Sequence, residues 1–163
     1  MIRSGVLAVV AALLLSGCSR DAATPAEAPK ADSRLALQFQ ASTGLNPSGD
    51  GHAAPVRVRL FELKSSAGFL RADYFTLAER AQATLGGDLV AQDELLIRPG
   101  ERREVLRALD PATRQLGLMV GYRDIDRAQW RSVIELPPGG GGHYRIELDD
   151  KAVRSVASDA PTR

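Results

Sequence analysis

Cysteine and histidine are scarce in this chain of 163 residues, and their scarcity excludes several kinds of site. Cys18 is the only cysteine, so no disulfide can form within the chain, and the fold must be stabilised by core packing. The two histidines, His52 and His143, lie far apart in the sequence. Neither belongs to a cluster of Cys, Asp or Glu at metal-ligand spacing, so we expect no metal site and no cofactor.

A surplus of charge of either sign is also missing. The chain has 21 Lys and Arg against 20 Asp and Glu, a formal net charge of +1. Because nucleic acids and acidic membranes attract basic proteins, this balance argues against a nucleic-acid partner and against membrane binding through basic residues. The glycine run at 139–142 lacks the Gly-Lys-Ser/Thr of a phosphate loop and is interpreted as a strand connection. No set of residues recommends a catalytic site, so we predict no enzymatic activity and no small-molecule substrate.

The one long apolar run lies at the amino terminus. Residues 5–15 are apolar, follow Arg3, and are followed directly by small residues. The run is shorter than the roughly 20 residues that span a bilayer, and its layout is typical of a secretory signal peptide. We therefore assign residues 1–17 to a signal peptide.

The end of this segment, Leu15-Ser16-Gly17-Cys18, resembles the bacterial lipobox. In a lipobox the cysteine is acylated and becomes the first residue of the mature protein. The resemblance implies that Cys18 is lipidated and anchors the chain to a membrane. Ser19 stands where retention in the inner membrane typically requires an aspartate, so the sorting rule for lipoproteins favours the periplasmic face of the outer membrane.

Composition divides the remainder of the chain into three parts. Residues 19–33 are mostly Ala, Pro, Ser, Thr and scattered charges, with no large apolar side chain. Such a segment buries too little surface to offset its ordering entropy, so we expect 18–33 to form a lipidated, flexible tether with a reach on the order of 20 Å. One folded domain is predicted at 34–157, followed by a tail at 158–163.

Alternating apolar and polar residues predict a series of short strands. Apolar residues recur at every second position in 35–41 and again in 56–60. Phe61 and Leu63 then break the phase, so we expect a bulge or burial on both faces there. Further strands are predicted in the segments 89–97, 103–109, 115–122, 130–136, 144–148 and 153–156.

The pattern of these strands indicates the fold class. Segment 115–122 has little polar character on either face, which predicts a central strand. Trp130 alternates in phase with Ile134 and Leu136, so we place its side chain in the core. Seven or so short strands without a βαβ rhythm predict a mainly β protein, a two-sheet antiparallel β-sandwich.

One stretch has a helical period instead. Ser65 and Ser66 favour a short helical turn, and Asp73 is placed to cap a second helix that ends at Gly86. Within the second helix, apolar residues recur at helical spacing, which is far more often typical of core packing than of a cofactor site. We expect a small helical insertion packed on a sheet. Its apolar stripe consists of Tyr74, Leu77, Ala81 and Leu85.

The connection between the first two predicted strands is unusually long. Segment 43–54 has twelve residues, including three glycines and Pro47. Hairpin loops usually have two to five residues, and longer loops are often functional. The sequence therefore marks this loop as a candidate site.

Six sequence blocks in fixed order resemble the TssJ family, the outer-membrane lipoproteins of the type VI secretion system. The resemblance extends from about residue 35 to residue 156. It implies a transthyretin-like β-sandwich with added helices and a structural role in the envelope-spanning membrane complex, beside TssM and TssL. The blocks are Asn46-Pro47 with Gly51, PVRVRLFELKS at 55–65, ADYFTL at 72–77, LGGDL at 85–89, RPGE at 98–101 and VGYRDIDRAQWR at 120–131.

The resemblance also implies a partner-binding site. In the family, the loop between the first two strands is implicated in binding the periplasmic C-terminal domain of TssM. In this chain that loop is 43–54, and the positions that match best are Leu45, Asn46 and Pro47. We expect Leu45 beside Pro47 to provide a small, exposed apolar anchor on a mobile loop.

Two other functions remain open at this point. A periplasmic ligand-binding or peptidoglycan-binding lipoprotein would show a deep apolar pocket. A transthyretin-like hydrolase would use several histidines and a Tyr-Arg-Gly-Ser tail. The present sequence ends Ala160-Pro161-Thr162-Arg163 and has only two histidines, so the hydrolase is the less favoured of the two.

Overall fold

Two four-stranded sheets form the frame of the computed structural model, which describes residues 34–159. The predicted signal peptide, Cys18 and the tether lie outside the described residues, as does the end of the predicted tail. The strands and helices, in chain order, are β1 Arg34–Ala41, β2 Val56–Leu63, α1 Ala67–Arg71, α2 Tyr74–Leu85, β3 Leu89–Ile97, β4 Arg102–Ala108, β5 Gln115–Val120, β6 Arg131–Glu135, β7 Gly142–Leu148 and β8 Val153–Ala157.

The two sheets have related layouts. Sheet A has the strand order β4-β1-β7-β8, and sheet B has the order β3-β2-β5-β6. Neighbouring strands are antiparallel, except that β1 and β7 pair in parallel. The prediction of a mainly β, two-sheet sandwich with a small helical insertion is confirmed, and β5 is a central strand as expected.

The main core lies between the sheets, as the alternation predicts. In β1 and β2, every second side chain points inward and is almost completely buried. The register of β2 against β3 shifts between Glu62 and Leu63, which confirms the predicted bulge. Together with Leu45, Leu109 and Tyr122, the buried side chains of this main core are Leu35, Leu37, Phe39, Val56, Val58, Leu60, Ile97, Leu116, Leu118, Val120, Ile134, Ile146, Leu148 and Val153.

A second, smaller core lies between the outer face of sheet B and the helical insertion. Asp73 caps α2 as predicted, because its carboxylate accepts a hydrogen bond of 2.8 Å from the backbone N–H of Thr76. The insertion covers the out-of-phase side chains of β2, so both faces of the second half of that strand, residues 60–63, are buried. The second core consists of Phe61, Leu63, Phe69, Leu77, Ala81, Leu85 and Met119.

Two arginines of sheet B hold the insertion in place. Arg59 donates to the carbonyls of Leu77 and Ala78 at 3.2 and 2.9 Å, beside a non-helical residue of α2, Arg80. Arg131 donates to the carbonyls of Phe69 and Ala72, at 3.1 and 2.8 Å, and so satisfies acceptors at the end of α1. The helices are therefore fixed by hydrogen bonds as well as by apolar contact.

Trp130 lies at the margin of the core and not within it. It directly precedes β6, is half-buried, and packs against side chains of both cores. Its ring contacts Tyr74 edge-on with a centroid distance of 5.4 Å, and the guanidinium carbon of Arg131 lies 4.7 Å from its ring centroid. The expected core position is therefore corrected, because the indole spans the junction between sheet and insertion.

Candidate partner-binding loop end

The loop 43–54 connects β1 to β2 at one end of the sandwich, here called the loop end. Leu45 is fully buried there and belongs to the main core. The expectation of an exposed apolar anchor at Leu45 is therefore wrong, because this side chain closes the end of the sandwich. Pro47 is half-buried beside it. Leu45 and Asn46 form the base of the loop, and the exposed surface lies at its tip.

Asn46 is the most connected residue of this base. The residue is only 4% exposed, and its backbone has a φ of +49°, which asparagine tolerates better than most residues. The side-chain nitrogen donates to the carbonyl of Pro55 at 3.1 Å, and the side-chain oxygen accepts from the backbone N–H of Arg123 at 2.8 Å. Its own N–H donates to the carbonyl of Asp150 at 3.1 Å. Asn46 therefore joins the loop to two other connections.

The tip of the loop is ordered by its own hydrogen bonds. The N–H of Ser48 donates to the carbonyl of His52, and the N–H of Gly51 donates to the carbonyl of Ser48, both at 2.9 Å. Gly51 has a φ of +84°, a conformation that a residue with a side chain rarely adopts. At the base, the N–H of Ala54 donates to the carbonyl of Leu45 at 3.0 Å. These bonds give the loop a defined conformation, which favours an ordered loop over the mobile one expected from the sequence.

Asp50 organises the side chains of the tip. Its carboxylate lies within hydrogen-bonding distance of the Ser48 hydroxyl and 2.8 Å from Nδ1 of His52. These two hydrogen bonds lower the pKa of Asp50 below its ordinary value of 3.8. In a catalytic triad the imidazole contacts the hydroxyl, whereas here both groups contact the carboxylate. The side chains of His52 and Asp50 are 82% and 68% exposed, which suits a contact surface.

A second connection of the loop end contains the 3₁₀ turn Ile125–Arg127. Asp124, which precedes this turn, accepts from Lys151 at 2.8 Å and lies 3.7 Å from the guanidinium of Arg127. The hydrogen bond from Lys151 is the main cause that lowers the pKa of Asp124. The N–H of Gln129 donates to the carbonyl of Lys151 at 2.8 Å, so the turn is also fixed through the backbone.

Tyr122 lies buried under these connections. Its side chain is part of the main core, and the residue is 5% exposed. Burial, followed by the carboxylates of Asp149 and Asp150, raises the pKa of Tyr122. The phenol therefore stays neutral and contributes to packing.

Residues 34–159 offer little support for other kinds of site. Across residues 34–159, no group of three or more His, Cys, Asp or Glu side chains is arranged to hold a metal ion. Over that range, none of the helices has the length and apolar character needed to cross a membrane. A groove of about 600 Å³ lies at the opposite end of the sandwich, and it is open to solvent. Its lining includes Leu109, Pro111, Thr113, Leu136, Pro137 and Pro138.

Comparisons with known proteins identify the family. The family described as "Type VI secretion lipoprotein, VasD, EvfM, TssJ, VC_A0113" matches residues 33–151. The crystal structure of the T6SS lipoprotein TssJ1 from Pseudomonas aeruginosa is 52% identical, with 80% of this chain and 99% of that chain covered and a TM-score of 0.77. No curated protein matches the sequence of this chain.

Two further structures concern assemblies or partners of this secretion system. A chain of the structure described as "Type VI membrane complex" is 28% identical over 76% of this chain and 98% of that chain, with a TM-score of 0.67. A chain of the structure described as the T6SS protein TssM C-terminal domain from EAEC is 27% identical over 77% and 98%, with a TM-score of 0.62. The family match and the TssJ1 structure together show that this chain belongs to the TssJ family of type VI secretion lipoproteins.

Proposed function

We propose that this chain is an outer-membrane lipoprotein, acylated at Cys18, that helps to assemble the type VI secretion membrane complex, which also contains TssL. Its partner in this proposal is the periplasmic C-terminal domain of TssM, bound through the loop end. The observation that carries the choice of partner is the likeness to a chain in the structure named for the TssM C-terminal domain. The sequence Leu15-Ser16-Gly17-Cys18 supports the lipid anchor.

The direction of β1 supports the loop end as the binding surface. The segment that carries Cys18 joins β1 at Arg34, whereas the loop leaves β1 after Ala41. At about 3.3 Å per residue, the two ends of this strand are roughly 23 Å apart. A chain anchored through Cys18 therefore presents the loop on the side of the domain that lies away from its attachment, where a periplasmic partner has access.

The order of the loop supports binding as well. When a partner binds a flexible loop, the loop must be ordered, and the entropy lost in that ordering lowers the affinity. A preformed loop avoids this cost. Here the base is fixed by Leu45 and Asn46, and the tip by Ser48 and Asp50. Because the whole chain is nearly neutral, long-range attraction adds little to the affinity for TssM, and any dependence of the affinity on salt must come from particular charged side chains at the interface.

A steric block at the tip tests the proposal. Gly49 is exposed, and a Cβ added there meets nothing within 4 Å, so Gly49→Trp places a large group on the tip without disturbing the core. We expect the full chain, extracted in detergent, to lose at least about tenfold in affinity for the TssM domain in this variant. Calorimetry measures the affinity directly.

The matched control lies on the helical insertion. Gly87 is also exposed, with open space around an added Cβ, so Gly87→Trp adds the same bulk away from the loop end. We expect the control variant to bind like the unaltered chain. Equal affinities for all three proteins would place the TssM surface elsewhere, and absence of binding by the unaltered chain would refute the proposed partner.

The lipid anchor is tested separately by Cys18→Ser. Because Cys18 is the only cysteine, metabolic labelling with a fatty acid has one expected target. We expect the variant to lose the label and to leave the outer-membrane fraction. Label retained on the variant would refute acylation at Cys18.

A further inference from the structure

The loop alone is too small for a stable interface. Specific protein interfaces bury about 800 Å² on each partner, usually from 20–30 residues a side. The loop 43–54 has twelve residues, and two of them, Leu45 and Asn46, are buried. A partner that binds this loop must therefore also contact the surface next to it.

The hydrogen bonds of Asn46 identify the adjoining surface. Its side chain accepts from the N–H of Arg123 at 2.8 Å, which fixes the start of the connection 123–127 against the base of the loop. Its N–H donates to the carbonyl of Asp150, next to Lys151, which binds Asp124 of the same connection at 2.8 Å. The loop and the connection 123–127 therefore keep a fixed relation to each other.

The connection 123–127 offers two arginines to a partner. Arg123 is exposed, and the side chain of Arg127 is 80% exposed. The nearest carboxylate to Arg127, that of Asp124, lies at 3.7 Å and already accepts the closer hydrogen bond from Lys151. Both guanidinium groups thus have donors available for a second protein. Arginine is enriched in interfaces because its planar fork can bind a carboxylate through two hydrogen bonds.

We propose that the partner surface is composite, formed by the tip of loop 43–54 together with Arg123 and Arg127, and that these two arginines bind carboxylates on a folded partner domain. The inference rests on the proposed function, because the partner is the TssM domain. It assigns to the connection 123–127 a role in recognition that its own turn geometry does not require.

A double substitution tests the composite surface. Arg123→Ala with Arg127→Ala removes both guanidinium groups but leaves the N–H of residue 123 to bind Asn46. The matched control, Arg71→Ala with Arg80→Ala, removes the same charge from exposed positions on the helical insertion. With the full chain in detergent, we expect the first variant to bind the TssM domain at least about tenfold more weakly, mainly through faster dissociation. We expect the control to match the unaltered chain.

The outcomes separate the two proposals. Weaker binding by the Arg123/Arg127 variant alone supports the composite surface. If Gly49→Trp weakens binding but the Arg123/Arg127 variant does not, the composite surface is refuted while the proposed function stands. Equal weakening by both double-arginine variants indicates a general effect of charge and also refutes it. If the unaltered chain does not bind the TssM domain, the proposed function itself fails.

Discussion

The two ends of the sandwich are closed by buried polar side chains of different chemistry. At the loop end, the neutral side-chain amide of Asn46 donates to Pro55 and accepts from Arg123, and its backbone N–H donates to Asp150, so the residue joins three connections without burying a charge. At the opposite end, the carboxylate of Glu62, 3% exposed, accepts from Arg107 at 3.1 Å, from the N–H of Asp110 at 3.2 Å and from the hydroxyl of Thr113 at 2.9 Å.

The difference separates stability from recognition. A buried carboxylate needs a cation beside it, and removal of one member of such a pair leaves the other with fewer partners at a poorly solvated site. The amide at the loop end needs only backbone groups, and charged side chains of that end, such as Asp50 and Arg127, stay exposed. We infer that the Glu62 end serves the stability of the fold and the Asn46 end the shape of a binding surface.

The largest expected effect is at the Glu62 end. Glu62→Ala leaves the guanidinium of Arg107, 15% exposed, with Asp93 as its remaining carboxylate partner. We expect the free energy of unfolding to fall by about 3 kcal/mol. Urea unfolding of the chain measures the loss. Glu94→Ala is the control, because the side chain of Glu94 is 46% exposed, pairs with the exposed Arg57 at 3.1 Å and lies 3.9 Å from Arg59, so its loss should change stability by less than about 1 kcal/mol. A loss at Glu62 no larger than at Glu94 would contradict the distinction between the ends.

Leu45 is the next test, since it belongs to the loop 43–54 and its side chain lies in the main core. Leu45→Ala should lower the free energy of unfolding by about 2–3 kcal/mol, because it removes a fully buried side chain and leaves a cavity that a site at the end of the sandwich can partly close. Leu70→Ala, at a residue that is 48% exposed, should cost much less. Thermal unfolding of both variants decides the matter. If Leu45→Ala kept wild-type stability, Leu45 would not act as a core residue, and the interpretation of Leu45 as an exposed anchor would be supported instead.

Asn46→Ala should have a smaller effect, on local order more than on the whole fold. Loss of its bonds should lower the free energy of unfolding by about 1–3 kcal/mol and expose the N–H of Arg123 to exchange. Ser42→Ala is the control, because it removes a hydroxyl next to the same loop, which accepts from the N–H of Gly44 at 3.0 Å, and leaves the bonds of Asn46 intact. Hydrogen exchange at residue 123 should be fast in the first variant and slow in the second. Equal protection in both would show that Asn46 does not organise the loop end.

The smallest expected effect is acid loosening of the loop end. Asp50 and Asp124 have pKa values below the ordinary 3.8, through hydrogen bonds from Ser48 and Lys151 respectively. Because each pKa is lower in the folded state, its stabilising contribution is present above about pH 4 and is lost as the pH falls below 3.8. NMR spectra of the loop amides recorded from pH 6 downward should change first in that range. If the loop amides changed near neutral pH instead, a group other than Asp50 and Asp124 would control the order of the loop end.

Local sequence patterns predicted most of the fold. Period-2 alternation gave β1 and β2, and a favourable capping residue at Asp73 gave the start of α2. Phe61 and Leu63, which break the alternation, indicated burial on both faces of that part of β2. The pattern did not show that the helical insertion is the element that covers them. These features depend on neighbours in the chain, which is why sequence alone was sufficient.

The candidate site was harder to predict because it depends on distant contacts. The long loop was recognisable, but a single leucine in it fits an exposed anchor as well as a core residue. The role of Asn46 depends on Arg123 and Asp150, which are far away in sequence. The contacts of Arg59 and Arg131 with the helical insertion were missed for the same reason. The signal in the sequence that could have indicated them was an arginine on the non-core face of a strand beside a helical insertion.

Hydrogen exchange of the full chain, with and without the TssM C-terminal domain, tests the central claim most directly. Amides at both ends of the sandwich and in the helical insertion are followed in the same measurement. One experiment therefore compares all three as candidate surfaces for the partner. We predict that binding slows exchange at residues 48–54 and 123–127 and leaves α1, α2 and the connection 109–114 unchanged. Protection confined to the helical insertion or to the Glu62 end would contradict the account.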